Sequence, residues 1–103
     1  MNHDLLKKSV ASGNVQWKKH VLQRIAERNI RQADVLNGLI FGVIIQEYPD
    51  DTPFASALFL CFTEHGPLHI VASLNETNAE THIITAYNPS LERFEEDYKT
   101  RKT

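Results

Sequence analysis

The chain has 103 residues, 42% of them apolar and 23% charged, with a formal net charge of −2. This suffices for one domain with a single core and leaves no room for two, and the negative total speaks against a general nucleic-acid coat protein. Cys61 is the only cysteine, which excludes an intrachain disulfide. Without a signal-peptide-like start or an apolar run of membrane-spanning length, the expectation is a cytoplasmic protein.

Charge is unevenly spread. Met1 to Ile40 carries seven Lys/Arg against three Asp/Glu, and Phe41 to Thr103 carries four against ten. A basic first part on an acidic remainder presents a local positive surface despite the negative sum. Residues 1–13 read as an arm or a short helix, with Leu5, Leu6 and Val10 as scattered apolar positions. Residues 14–103 read as one domain. Ser12-Gly13-Asn14 is a break before a principal helix that starts at Trp17 and stops near Arg28. At about 100° per residue, Trp17, Val21, Leu22 and Ile25 share one side of that helix, and His20, Arg24 and Arg28 form an adjoining stripe. Asn29 suits a left-handed helix end, with Ile30 folding back onto it.

A second helix is expected over Gln32 to Ile40, with Val35, Leu36, Leu39 and Ile40 inward, Asp34 in its first turn and Gly42 at its exit. Val43 to Tyr48, closed by Pro49, is a strand, and Asp50-Asp51-Thr52-Pro53 is turn chemistry. Ser56 to Thr63 is apolar on both parities, as a central strand covered on both faces would be. Gly66-Pro67 turns into a strand from Leu68 to Leu74. A polar loop from Asn75 to Glu80 leads to the last strand, His82 to Tyr87. Asn88-Pro89 then opens an expected short acidic helix over Ser90 to Lys99. The predicted architecture is α+β: N-terminal helices on a mostly antiparallel twisted sheet of about four strands, closed by a C-terminal helix. Val21, Ile25, Phe59, Cys61 and Ile70 belong in its core.

Three groups of residues invite a chemical reading. The His20, Arg24, Arg28 stripe lies against the edge of a core, where it could hold an anion; the plain alternative is a basic helix side in water. His69 has the parity of Val71 and Ser73, and the plain alternative for it is a core histidine bonded to a carbonyl. Thr85 and Tyr87 share a strand face with Ile83, so pairing of the last two strands could bring them toward His69. A metal site is not expected. His65 and His69 are separated by Gly66-Pro67, and an extended chain holds them roughly 13 Å apart. Cys61, in an apolar strand, reads as an inert thiol, and the acidic run Glu92, Glu95, Glu96, Asp97 as a solvated face. No Gly-rich phosphate loop and no stacking platform for nucleic acid is legible.

The ordered set His20, Arg24, Arg28-Asn29-Ile30, Asp34-Val35, Gly42, Ile44-Ile45, Glu47-Tyr48-Pro49-Asp50-Asp51, Pro67-Leu68-His69, Val71, Ile84-Thr85, Tyr87 and Pro89 resembles the bacterial DUF4258 family. The resemblance runs from about His20 to Tyr98. Where that family has a glycine, an aliphatic residue and a capping hydroxyl after the second arginine, this chain has Asn29, Ile30 and Arg31. The family is grouped by fold with RelE-like and BrnT-like toxins of the barnase–EndoU–RelE class. The resemblance therefore implies a RelE-like domain over residues 14–103 and an RNase-like toxin function within a toxin–antitoxin pair. His20, Arg24, Arg28, His69, Thr85 and Tyr87 carry over as the site of metal-independent RNA cleavage, with no cofactor. His20 or His69 would supply base and acid, Arg24 and Arg28 the phosphate clamp, and Tyr87 a further donor. The implied partners are RNA and a small antitoxin-like protein. The competing expectation is a non-catalytic protein-interaction module on the same fold.

Overall fold

The computed structural model describes residues 1–102. It contains α1 (His3–Ala11), β1 (Val15–Trp17), α2 (Lys19–Glu27), α3 (Gln32–Phe41), β2 (Val43–Tyr48), β3 (Ser56–Thr63), β4 (Gly66–Asn75) and β5 (Glu80–Tyr87). The five strands form one sheet in the order β1-β5-β4-β3-β2. β1 runs parallel to β5, and the other neighbours are antiparallel. The class is α+β, as expected, but the sheet is mixed and has a fifth strand.

That strand comes from the stretch expected to start the principal helix. α1 is capped at its start by the Asn2 side chain, which accepts from Leu5 N at 3.0 Å. Its end closes through a left-handed Gly13, with Gly13 N bonded to Val10 O and Asn14 N to Ser9 O. The chain leaves this cap extended. Asn14 then fastens it to the β4–β5 turn, its Nδ2 donating to Ala79 O at 2.7 Å and its carbonyl accepting from Thr81 N. Val15 and Trp17 thus pair with Thr81 and Ile83 as a strand, which suits branched and aromatic residues better than a helix start. Trp17 still packs against the core, but α2 begins two residues after it.

The α2 end follows the sequence expectation. Asn29 is left-handed (φ 57°), with its N–H on Ala26 O and Ile30 N–H on Ile25 O at 2.8 Å. α3, β2 and β3 match their predicted spans within a residue.

The three helices cover one face of the sheet. Leu6 and Val10 of α1, Val21 and Ile25 of α2, and Val35 and Leu39 of α3 bury against Phe59, Ile70, Ala72, Ile83 and Ala86. Residues 1–13 therefore share the core of the main domain. Cys61, expected inside, is half-buried at its rim. α3 sits so close to the sheet that a Cβ at Gly38 would stand 2.5 Å from Cys61 Sγ and 2.6 Å from Ile70 Cδ1.

The expected C-terminal helix does not form. After a single turn at Ser90, the chain makes a small antiparallel closure, with Phe94 bridged to Arg101 and Glu95 N bonded to Thr100 O. Asp97 captures the N–H groups of Lys99 and Thr100, a side-chain competition that disfavours helix. The Asn88 amide is turned toward β4, where its Nδ2 donates to Pro67 O at 3.0 Å. Phe94 instead reaches the uncovered side of the sheet and is buried against His69, while Leu91 stays exposed.

Candidate functional site

Two properties of β5 position the residues of interest. β1 pairs only with Thr81 to Ile83, so the remainder of β5 has an open edge beside α2. In addition, the β4–β5 register slips: Val71 faces Thr85 while Ala72 faces Ile83, leaving Ile84 as the extra residue of a bulge. This corrects the expectation that Ile83, Thr85 and Tyr87 share a face. Ile83 turns into the helix-covered core, whereas Thr85 and Tyr87 lie with Val71 and His69 on the other side. A bulge re-aims side chains and leaves no mark in an alternation pattern.

The α2 stripe is real and open. His20, Arg24 and Arg28 are exposed and line a cleft of about 350 Å³ against Ile84, Thr85 and Ala86. Arg28 is fixed in place. Its Nη1 donates to Ala86 O at 2.9 Å and to Thr85 Oγ1 at 3.3 Å, across the open strand edge. This leaves the Nε and Nη2 hydrogens of a five-donor fork for another acceptor. Arg24 and Arg28 also sit at the last turn and cap of α2, where a cation is favoured by the helix dipole. Stability and anion binding are both served by the same placement.

His69 belongs to a different environment. It is fully buried on the sheet face opposite the helices. Nε2 lies 2.7 Å from Tyr98 O and Nδ1 3.3 Å from the Tyr87 hydroxyl. A carbonyl can only accept, so Nε2 carries the proton and Nδ1 accepts from Tyr87 O–H. The Phe94 ring stands edge-on at 4.7 Å and that of Tyr87 at 5.3 Å. Burial pushes the His69 imidazole below its ordinary range, the Tyr98 carbonyl opposes this, and Arg101 adds to it. Burial likewise pushes the Tyr87 phenol up.

The six residues expected in one site therefore divide. Arg28 meets Thr85 at the strand edge, within the cleft of His20 and Arg24. His69 and Tyr87 pair with each other beneath residues 94–98. Both nitrogens of His69 are used, so it has none to offer a substrate. The plain reading of His69, a core histidine on a carbonyl, is the one the geometry carries.

Residues that sequence reasoning passed over line a second cavity of about 600 Å³, among them Lys18, Asp50, Asp51, Phe54 and His82, together with His20. The sequence signal for it is Phe54, an aromatic residue directly after the Asp50-Asp51-Thr52-Pro53 turn. Cys61 is half-buried, and burial, then Asp34, pushes its thiol up, so it stays a poor nucleophile. Among the described residues no group of three His, Cys, Asp or Glu is placed to hold a metal. No helix among them is long and apolar enough to cross a membrane.

Compared with known proteins, residues 17–88 match a family described as a domain of unknown function, DUF4258. No curated protein and no solved structure matches the chain.

Proposed function

This chain belongs to the DUF4258 family, and from that premise we propose that it is an RNase-like toxin domain acting through the α2–β5 cleft. The observation that carries the reading is the convergence of His20, Arg24 and Arg28 on one open cleft beside Thr85. Arg24 and the unused N–H groups of Arg28 bind a phosphodiester. His20 takes the proton of the ribose 2′-hydroxyl as its oxygen attacks phosphorus. The bond to the 5′-oxygen breaks, leaving a 2′,3′-cyclic phosphate, and the departing oxygen is protonated from His20 or water. The arginines stabilise the charge that builds on the phosphorane. The resemblance to RelE-like and BrnT-like toxins supports the same reading, and with it a small antitoxin-like partner.

One observation favours a second reading. With His69 sealed, the cleft holds a single imidazole where cleavage calls for two proton transfers. On that reading the domain is a non-catalytic interaction module whose basic cleft anchors an acidic partner segment. Expression toxicity, with sequencing of RNA ends, separates the two. The toxin reading expects cyclic-phosphate ends that fall by about tenfold or more in Arg24→Ala and His20→Ala. Intact RNA, with an acidic peptide bound by the wild type and not by Arg24→Ala, establishes the module instead.

A further inference from the structure

The 600 Å³ cavity and the phosphate cleft are neighbours with a common wall. His20, Val21 and Ile84 line both, so the start of α2 divides a single groove into two compartments. The volume falls in the roughly 300–1,000 Å³ range of small-molecule sites. The compartment beyond His20 differs in chemistry from the arginine end. Phe54, half-buried, and His82 set their rings 5.5 Å apart at 30° in its wall. Asp50 and Asp51 bring carboxylates to it, and Asp51 is steadied by the Ser56 hydroxyl. His82 Nε2 lies 2.8 Å from Glu80 Oε1, close enough for an ion pair but off the line of a hydrogen bond. Lys18 also lines the compartment but is outnumbered by Asp50 and Asp51, so the space is a poor seat for a second phosphate and a good one for a planar group bearing N–H donors.

Resting on the RNA reading of the cleft, we propose that this compartment is a nucleobase subsite that prefers guanine. The phosphate lies on Arg24 and Arg28, the base enters past His20, and its face packs on Phe54. Guanine is favoured because N1–H and the N2 amino group are adjacent donors on one edge, matching the two oxygens of a carboxylate. Adenine, cytosine and uracil do not present that pair. Both carboxylates are exposed, but Asp51 is engaged by the Ser56 hydroxyl, so Asp50 is assigned the role.

The test is calorimetric titration of the full chain with inorganic phosphate and with the 3′-monophosphates of guanosine, adenosine, cytidine and uridine. Guanosine monophosphate should bind on the order of tenfold or more tighter than phosphate, consistent with one stacked, hydrogen-bonded base. Asp50→Asn should bring guanosine down to the adenosine value. Phe54→Ala should weaken all four nucleotides, and neither variant should change phosphate affinity. Asp50 is exposed, so that arm survives even if Phe54→Ala unfolds. Nucleotides that bind no better than phosphate overturn the subsite and leave the phosphate cleft standing. Equal binding of all four above phosphate overturns the guanine assignment. If phosphate and nucleotides fail while an acidic peptide binds, both the subsite and the RNA reading fall.

Discussion

The molecule holds two histidine environments on either side of one strand, and they differ in what they leave unsatisfied. At the open edge of β5, His20 stands in solvent beside two guanidinium groups, of which only Arg28 is tied to the fold. Beneath residues 94–98, His69 has a donor, an acceptor and two aromatic edges, and faces no solvent. Buried polar groups that find all their partners contribute to a unique structure, and those left unmatched at a surface are available to ligands. Sequence position hid this, because a family resemblance groups the two histidines together.

Substitutions at Arg24 and His69 should have opposite consequences. Arg24→Ala should lower RNA binding or cleavage by about tenfold to a hundredfold, the range for a charged hydrogen-bonded contact, while the melting temperature falls only by the small helix-dipole contribution of an exposed cation. Lysine there should rescue only in part, since it lacks the fork. His69→Ala should do the reverse. It should lower stability by about 1–3 kcal/mol, the cost of unmade buried hydrogen bonds, and leave activity per folded molecule intact. A stable His69→Ala protein that has lost cleavage would restore His69 to the site.

The next effect concerns what seals His69. Phe94 is 3% exposed, and Phe94→Ala should cost about 3–5 kcal/mol if the site does not collapse. It should also admit water to His69, so that the imidazole titrates closer to its ordinary value of 6.5, as followed by NMR. In the wild type the folded imidazole titrates lower than the unfolded one. The unfolded chain then binds more protons, and this contribution to stability is present above pH 6.5 and lost as pH falls below it. Melting temperatures between pH 7.5 and 5.5 should therefore fall less steeply in His69→Gln than in the wild type.

The legible parts of the sequence were those where local chemistry and tertiary contacts agree. Gln32 to Phe41, Val43 to Tyr48 and Ser56 to Thr63 carry both the propensity and the apolar pattern of the elements they form. Trp17 misled because a residue on a preceding strand and one on a helix can meet the same core, and the 100° wheel cannot tell them apart. The acidic stretch after Pro89 has helical spacing but few residues, and short helices need packing to persist. Here the packing available to Phe94 and Tyr98 was the bare side of the sheet. The bulge at Ile84 adds one residue without changing composition, and the close seat of Gly38 depends on Cys61 and Ile70, far along the chain. Gly38→Ala tests that seat: about 1–3 kcal/mol of overpacking is expected, measured by chemical denaturation.

The smallest effect bears on how the open site is aimed. Arg28 is the capping residue of α2, and Asn29 follows it at φ 57°. The direction in which Arg28 leaves the helix, toward Ala86 O and Thr85, depends on the chain turning there. Asn29→Gly removes the mild cost of a left-handed side chain but adds freedom to the unfolded chain, so the two terms nearly cancel. Its melting temperature should stay within a degree or two of the wild type, roughly the shift for a few tenths of a kcal/mol. Asn29→Val places a β-branched residue in that conformation, at a cost of about 1–3 kcal/mol. The chain can escape the cost only by unwinding the last turn of α2, which would release Arg28 from the strand edge. Asn29→Val should thus lose phosphate affinity as well as stability, while Asn29→Gly loses neither. Equal melting points for the two variants would mean that the left-handed turn does not hold Arg28, and that its bonds to β5 do so unaided.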